Sequence, residues 1–519
     1  MVPCKAIGQL RIGLYIQQRP TAILAGIGMA AAGLNLFNGN ANSLMQVIGM
    51  AVFSATLIKN SQNTFRNTWL FATVWIASSV WWLYIALHDV GGMPVAVSLA
   101  AIALLSAGLA LYYALALEIY KRIKTSANTI TNHLLFASCW TLAELARAQW
   151  FTGFPWSAIG YSHVNTSLSY LAPWTGIYGI GFVAAFASSW LAHEICTQQI
   201  KAKKLWAISV VILGIAMPSF RHLEQSGQPL QVNLLQGNIS QITKYTTDKK
   251  SALEWYSKKM LESQADLTVL PEIAIPFFQQ ELPDDYWQPI KQKFSKGDQA
   301  ALIGMPTLDQ SKGYGNSAIG LGFGTEQKYD KYHLVPFGEF TPKSLKWFTD
   351  MMVNELGEFN RGDIRQPAFS WRNHHLSVTI CYEDLFGEEL AARFVNTTQI
   401  PTVFVNMSNI AWFGNTMVLS QHLDIARMRS LEFQRPTIRA TNTGTTAIIS
   451  AEGMVVKQLP VFTSGSLTGD VYSNFSGITF FAFWAGHWGL IPMWSLCLVL
   501  VMLSAGMKWK FDKKNQSVK

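Results

Sequence analysis

The chain has 519 residues, half of them apolar and only 14% charged, and it contains 19 Trp and 30 Phe. This composition is unusual for a soluble protein and typical of a membrane protein. The formal net charge is +9, yet residues 221–478 hold 23 Lys and Arg against 26 Asp and Glu. The excess of basic residues therefore lies in the short segments around the apolar runs. That distribution is a membrane-topology signal and argues against a nucleic-acid-binding surface.

Eight apolar runs of near membrane-spanning length predict about eight transmembrane helices. In chain order the runs cover residues 22–38, 43–58, 69–87, 94–118, 133–150, 170–196, 205–220 and 479–507. The first two runs are short, and 43–58 is also compatible with a buried helix or a re-entrant segment. Lys and Arg concentrate near the chain ends and in alternate loops. The positive-inside rule therefore predicts cytoplasmic termini and places residues 221–478 on the outer face of the membrane.

The apolar runs and the polar block together predict three segments. Residues 1–220 form a membrane domain of about seven helices, 221–478 form an outer-face domain, and 479–519 form a last transmembrane helix with a cytoplasmic tail. Within the outer-face domain, β-rich runs stand at 230–235, 267–270, 301–304, 317–321, 376–380, 402–406 and 446–450, and helical patterns at 248–264, 284–295 and 417–434. Strands that alternate with helices predict a layered α/β domain with one substantial core.

Cys381 is the only cysteine of the outer-face domain, and it directly follows the β-rich run 376–380. None of the five cysteines of the chain has the spacing of a zinc site or of a CxxC motif. A lone thiol in the polar domain cannot form a disulfide within that domain. It is therefore either a small buried hydrophobic group or a nucleophile.

Two further phrases carry reactive groups at or beyond strand ends. Glu272 follows the run 267–270, and Lys331 stands eight residues before Glu339. A positioned carboxylate can take the proton of a thiol. A lysine ammonium can favour the thiolate and, with a backbone N–H near Cys381, stabilise an oxyanion. Each residue taken singly has an ordinary alternative, a solvated glutamate or a loop lysine without a role.

Together these phrases resemble the nitrilase superfamily, whose members use Glu, Lys and Cys in that chain order on an αββα sandwich. With the flanking apolar runs, the whole chain resembles the apolipoprotein N-acyltransferase family of the bacterial inner membrane. The segments that carry the resemblance are Trp140, Glu144, Arg147, 152–156 and 160–162 in the membrane portion, and 236–239, 333–340, 408–414 and 426–436 in the outer-face domain.

The resemblance implies that Glu272 is the general base, Lys331 the oxyanion-stabilising cation and Cys381 the acyl-accepting nucleophile. It also implies that Glu339 and Glu383 are supporting carboxylates.

Three aromatic residues, Tyr245, Tyr382 and Trp412, are implied to bind substrate at a lipid-facing entrance. For Tyr382 and Trp412 the alternative is ordinary aromatic packing. The family usually has Trp at the position of Tyr245 and Asp at that of Ile410. These departures bear on the shape of the lipid site and leave the reaction class unchanged.

The implied reaction is an acyl transfer in two steps, from a phospholipid to Cys381 as a thioester and then to the α-amino group of a diacylglyceryl apolipoprotein. The implied protein is a monomer of the inner membrane, with its catalytic domain on the periplasmic face, no cofactor or metal, and no nucleic-acid partner. One alternative is a membrane-tethered nitrilase-type amidase that hydrolyses C–N bonds with the same residues. A transporter or sensor is a second alternative, but the first four apolar runs carry essentially no ionisable groups in their interiors.

Overall fold

The computed structural model describes residues 20–33, 41–59, 62–125, 129–196, 214, 217, 228–244, 249–309, 313–324, 327–341, 358–395, 398–473 and 477–517. By packing, the chain divides into two compact units. The helical unit comprises Met1–Trp81, Leu99–Phe220 and Leu490–Lys519, and the sheet unit comprises Trp82–Ser98 and Arg221–Gly489. Packing thus groups 82–98 and 479–489 with the sheets, whereas the sequence-based division at 220 and 478 stays a prediction.

The main helices and strands are numbered in chain order. The helices are α1 Pro20–Ala32, α2 Ala41–Lys59, α3 Thr64–Ser79, α4 Val95–Ile123, α5 Thr129–Gln149, α6 Ala172–Cys196, α7 Lys249–Glu262, α8 Asp284–Phe294, α9 Gly387–Ala391, α10 Val418–Phe433, α11 Phe480–Trp488 and α12 Ile491–Ser517. The strands are β1 Leu230–Gln236, β2 Leu267–Val269, β3 Ala300–Asp309, β4 Gly313–Leu321, β5 Gln327–Asp330, β6 Phe369–Trp371, β7 His374–Ile380, β8 Val403–Ser408, β9 Thr437–Thr441, β10 Ala447–Ile449, β11 Val455–Gln458 and β12 Gly465–Val471.

Four of the described helices are long and apolar enough to cross a membrane: α2, α4, the stretch Ser167–Cys196 that ends with α6, and α12. Helix α1 is apolar but shorter. Helices α3 and α5 overlap two more of the predicted runs, and each begins a few residues before its run. The predicted run 205–220 lies almost entirely outside the described residues. The total of about eight spans stays a prediction.

The predicted apolar run 479–507 is divided between two helices, of which α12 is the one long and apolar enough to cross a membrane. Helix α11 ends at Gly489, whose φ of +56° is a left-handed conformation that glycine adopts without a steric penalty, and α12 begins at Ile491. The ring of Phe481 in α11 packs on Phe433 with 5.5 Å between centroids. The apolar side chains of α11 therefore serve in part to pack against protein, which hydropathy alone does not distinguish from a lipid-facing run.

Glu144 and Arg147, two residues of the family motif in the helical unit, form hydrogen bonds to the loop that follows α5. The Glu144 carboxylate accepts hydrogen bonds from the Trp140 indole N–H at 3.3 Å and from the Ile159 backbone N–H at 3.0 Å. The Arg147 guanidinium donates to the carbonyl of Trp156. These side chains thus pair the backbone N–H of Ile159 and the backbone carbonyl of Trp156. A backbone group left unpaired in a buried loop would carry a large desolvation cost.

The sheet unit contains two six-stranded sheets. Their strand orders are β12-β1-β2-β3-β4-β5 and β11-β10-β9-β8-β7-β6. In each sheet three consecutive strands run parallel, β1 to β3 in one and β7 to β9 in the other, and antiparallel strands flank them. The two sheets therefore share the same arrangement of a parallel centre with antiparallel edges.

The two sheets face each other across one apolar core. Side chains of β1, β2 and β3 pack in it together with those of β7, β8 and β9. Helices α7 and α8 cover the outer face of the first sheet, where Tyr256 and Trp287 are buried. Helix α10 covers the outer face of the second through Ala426. Both faces of the parallel strands are covered, and nearly all of their residues are buried, the polar ones included. The predicted αββα sandwich is confirmed.

Candidate active site

The carboxyl ends of the parallel strands gather the candidate residues in the sheet unit. Strand β2 leads to Glu272, β7 leads directly into Cys381, and β8 leads to Asn409. Lys331 follows β5, and its backbone N–H donates to the carbonyl of Asn316 in β4 at 2.8 Å. Strand ends are suited to this task because the sheet fixes the backbone while the following loop leaves the side chain accessible.

A buried ion cluster forms around Lys331, which is only 1% exposed. Its ammonium lies 3.1 Å from Glu272 Oε1 and 2.9 Å from Glu339 Oε1. The Asn316 amide donates to the same two oxygens, at 2.8 Å each. Burial by itself lowers the pKa of Lys331, but the two carboxylates together raise it by more than burial lowers it, so that the pKa lies above its ordinary value. The lysine is therefore a permanent cation.

Cys381 lies beside this cluster, and the charges of Glu272, Lys331 and Glu339 all act on its thiol. The backbone N–H of Asn409 is within hydrogen-bonding reach of the sulfur and donates to Glu272 Oε2 at 2.9 Å. Burial raises the pKa of Cys381, and the two carboxylates raise it further, while Lys331 and the Asn409 N–H oppose them without reversing the shift. The resting group is therefore a thiol, and it needs a base in order to attack.

A chain of amides holds the Asn409 loop in place. Asn409 donates from its side chain to Gln241 Oε1 at 2.7 Å, and Asn442 donates to Asn409 Oδ1 at 3.1 Å. Asn442 also exchanges two hydrogen bonds with the backbone of Ile239. No role for these amides or for Asn316 followed from the sequence. Asn409 follows a predicted strand, as Glu272 does, so its position could have indicated a site residue. Asn316 lies within a strand, where nothing in the sequence indicates a role.

Cys381 itself has an unusual backbone conformation, with φ at +54°. A left-handed conformation costs a residue other than glycine roughly 1–2 kcal/mol, so the surrounding contacts must hold it. The predicted supporting residue Glu383 contributes to this: its carboxylate accepts from the backbone N–H groups of Ile380 at 2.6 Å and Tyr332 at 2.7 Å. It also accepts from the Tyr329 hydroxyl at 2.7 Å. Glu383 thus holds the backbone next to Cys381 and next to Lys331 in place by hydrogen bonds.

The three predicted substrate-binding aromatics have different placements. Tyr245 lies outside the described residues. Tyr382 is buried against Phe386, with ring centroids 5.4 Å apart, which favours the packing alternative. Trp412 is partly exposed in the helical turn Ala411–Phe413. Their predicted contact with lipid stays a prediction. Among the described residues, no group of three or more His, Cys, Asp or Glu side chains could hold a metal ion.

Comparisons with known proteins cover both units. Residues 32–190 match the family model of the apolipoprotein N-acyltransferase N-terminal domain, and residues 232–476 match that of carbon-nitrogen hydrolases. A protein from Verminephrobacter eiseniae named apolipoprotein N-acyltransferase is 42% identical, covering 91% of this chain and 93% of its own length. Proteins with the same name from Ralstonia nicotianae and Bordetella bronchiseptica are 37% and 35% identical, covering 89% and 82% of this chain.

A sandwich of two sheets with this arrangement of strands, matched over residues 232–476, defines the sheet unit as a carbon-nitrogen hydrolase fold. The sequence similarity to the three named relatives extends well beyond that fold into the helical portion, at identities of 35% and above. The chain therefore belongs to the apolipoprotein N-acyltransferase family. This confirms the resemblance that the sequence motifs indicated.

Proposed function

We propose that this chain moves an acyl chain from a phospholipid to the α-amino group of a diacylglyceryl apolipoprotein, by way of a thioester on Cys381. One observation supports this most: a thiol, a carboxylate and an ammonium share one buried site at the strand ends. Membership of the family supplies the substrate class, since the named relatives are called apolipoprotein N-acyltransferases.

In the first half-reaction Glu272 takes the thiol proton as the sulfur attacks the ester carbonyl of the phospholipid. The C–S bond forms, and negative charge develops on the carbonyl oxygen. The Lys331 ammonium and a backbone N–H beside Cys381 stabilise that oxyanion. When it collapses the ester C–O bond breaks, Glu272 returns the proton to the leaving oxygen, and a lysophospholipid departs. A base is required because the raised pKa keeps the resting thiol protonated.

In the second half-reaction the amine of the apolipoprotein attacks the thioester. Glu272 takes a proton from the amine and delivers it to the leaving sulfur, so that an amide forms and the thiol is restored. The same cation and N–H serve both steps, because both pass through an oxyanion at the same carbon.

The helical unit gives a physical reason for this chemistry to take place at a membrane. Both substrates carry acyl chains, and each CH₂ in the bilayer contributes about 0.8 kcal/mol of anchoring, so neither substrate readily leaves it. A chain with its own membrane-spanning helices can bring the thiol to the substrates instead. We place the sheet unit on the periplasmic face of the inner membrane, because the basic residues concentrate in the predicted cytoplasmic segments.

The direct test is to trap the acyl-enzyme. Purified protein incubated with a phospholipid carrying a radiolabelled acyl chain is expected to become labelled on Cys381, and neutral hydroxylamine is expected to release the label. Addition of a diacylglyceryl-cysteine peptide should then move the label to the peptide as a hydroxylamine-resistant amide. The Cys196→Ala variant is a matched control, because Cys196 is also a partly exposed free thiol, and its labelling should be unchanged.

Two results would contradict the proposal. Wild-type protein that never acquires hydroxylamine-labile label would exclude the thioester. Label that passes to water as free fatty acid even with the peptide present would favour a hydrolase, as in the amidase alternative.

The base role of Glu272 predicts a change of pH dependence in Glu272→Gln. In the wild-type protein the thiol proton moves to Glu272, so the acylation rate should vary little across neutral pH. In the variant the thiol must lose its proton to solvent. Because its pKa is raised, the thiolate fraction and the rate should increase about tenfold per pH unit from pH 6 to pH 9. At pH 7 the rate should fall by about 10²–10⁴-fold.

The control for this prediction is Glu339→Gln, which removes a neighbouring carboxylate of the same cluster. Its rate should remain nearly independent of pH. A flat profile in Glu272→Gln would show that another group accepts the proton.

A further inference from the structure

Behind the candidate nucleophile lies a buried histidine that the mechanism above does not use. His422 of α10 is 1% exposed, and its Nε2 lies 3.2 Å from the carbonyl oxygen of Cys381. Its other ring nitrogen, Nδ1, lies 3.0 Å from Arg439 Nη2. A guanidinium has donors only, so Nδ1 must accept, and Nε2 must carry the hydrogen. The imidazole is therefore neutral and donates to the carbonyl of Cys381.

The rest of the contacts hold this imidazole in one orientation. Arg439 is fully buried, and it also donates to the backbone carbonyls of His422 at 3.2 Å and Thr445 at 3.3 Å. The Asp384 carboxylate lies 4.0 Å from the same guanidinium and accepts from Thr379 in β7 at 2.6 Å. Burial lowers the pKa of His422 well below its ordinary value, and the charge of Arg439 lowers it further, so the ring stays neutral.

The position of this donor matters because of the planarity of the peptide bond. The carbonyl of Cys381 and the N–H of Tyr382 belong to one peptide unit, and in a trans peptide they point in opposite directions. A group that fixes the carbonyl therefore also fixes the N–H. Cys381 needs such a fixing contact, since its φ of +54° is disfavoured for a residue with a side chain.

We infer that His422 is a positioning residue, which holds the carbonyl of Cys381 so that the N–H of Tyr382 is directed at the oxyanion formed during acyl transfer. This inference rests on the proposed function. His422 touches no reacting atom, and its effect passes through one peptide unit. The electrostatic contribution of an oxyanion donor depends steeply on its geometry, so a small rotation of that unit is enough to reduce the rate.

The test compares two substitutions of similar shape. His422→Gln keeps an N–H that can donate to the Cys381 carbonyl and an oxygen that can accept from Arg439. His422→Glu keeps the acceptor for Arg439 but carries no hydrogen to donate when it is ionised. The readout is the rate of thioester formation from a labelled phospholipid, divided by the rate of alkylation of Cys381 by iodoacetamide. Alkylation needs the thiolate but forms no oxyanion, so the ratio reports the oxyanion site alone.

We expect the ratio for His422→Gln to stay within about fivefold of wild type and that for His422→Glu to fall by roughly 10²-fold, as for the loss of one oxyanion donor. A His422→Phe variant, which has a ring without a donor, should give the same low ratio and serves if the glutamate variant does not fold. Thermal unfolding of each variant confirms that the comparison is made on folded protein.

The inference is overturned if folded His422→Glu or His422→Phe keeps the wild-type ratio. It is also overturned if folded His422→Gln is as slow as the other two, because the donor would then not be what matters. Wild-type protein that is alkylated but never acylated would overturn the proposed function as well, and so is distinguished from failure of this inference alone.

Discussion

Substitution of Cys381 by alanine is expected to abolish both thioester formation and transfer to a diacylglyceryl peptide, by about 10⁴-fold or more. No other described cysteine is placed to replace it, since Cys139 and Cys497 are buried and Cys196 lies in the helical unit. The free energy of unfolding should change by about 1 kcal/mol or less, because the side chain removed is small. Labelling with a radioactive phospholipid and a thermal unfolding curve measure the two effects.

Cys381→Gly separates the chemistry of this position from its backbone strain. It should be as inactive as the alanine variant but more stable than it, since glycine adopts a φ of +54° without the penalty of roughly 1–2 kcal/mol. Cys381→Ser should form at most a slow oxygen ester that hydroxylamine does not release. Growth of cells that depend on the Cys381→Ala protein as their only source of this activity would refute the nucleophile assignment.

Lys331→Met is expected to have the second-largest effect, a loss of acylation of about 10³-fold. The substitution removes the cation from the candidate oxyanion site and leaves Glu272 and Glu339 close together around one amide. Because a partner of a buried ion cluster is lost, unfolding should also become easier by about 3–5 kcal/mol. Acyl-enzyme labelling and chemical unfolding of the same preparation give both values.

Lys328→Met is the matched control for this substitution. Lys328 lies three residues earlier and pairs with Asp330 at 3.0 Å, but its side chain is 40% exposed. An exposed pair contributes about 1 kcal/mol or less, so both stability and labelling should be nearly unchanged.

A double variant, Lys331→Met with Glu339→Gln, restores the net charge of the cluster. It should recover much of the lost stability and none of the lost rate, which distinguishes the chemical role of the lysine from its structural role. Wild-type labelling by a folded Lys331→Met protein would disprove the assignment.

The predicted strands agree with the structure where the signal is local. The runs 230–235, 376–380 and 402–406 lie within or beside strands β1, β7 and β8. Strands that are covered on both faces are rich in apolar and β-branched residues, and such short runs are visible in a sequence. Cys381 directly follows the run 376–380 and Glu272 lies two residues after the run 267–270, so the sequence places both at strand ends.

The edge strands gave no comparable signal. Strands β5 and β6 have four and three residues, and they are strands because of their neighbours rather than their own composition. The break at Gly489 was missed for a related reason. Helix α11 is apolar on the side that packs in the sheet unit, and a hydropathy window cannot tell that side from a lipid-facing one.

By itself the sequence determined the family and the layered domain, and it predicts Glu272, Lys331 and Cys381 as the reacting groups, because each of these inferences depends on motifs or on local periodicity. Only the tertiary structure decided which further residues form hydrogen bonds to these groups. Asn316, Asn409 and His422 are brought to the site by strand order and helix packing. Contacts between distant parts of a chain depend on the register and packing of whole elements, and no local pattern of residues encodes them.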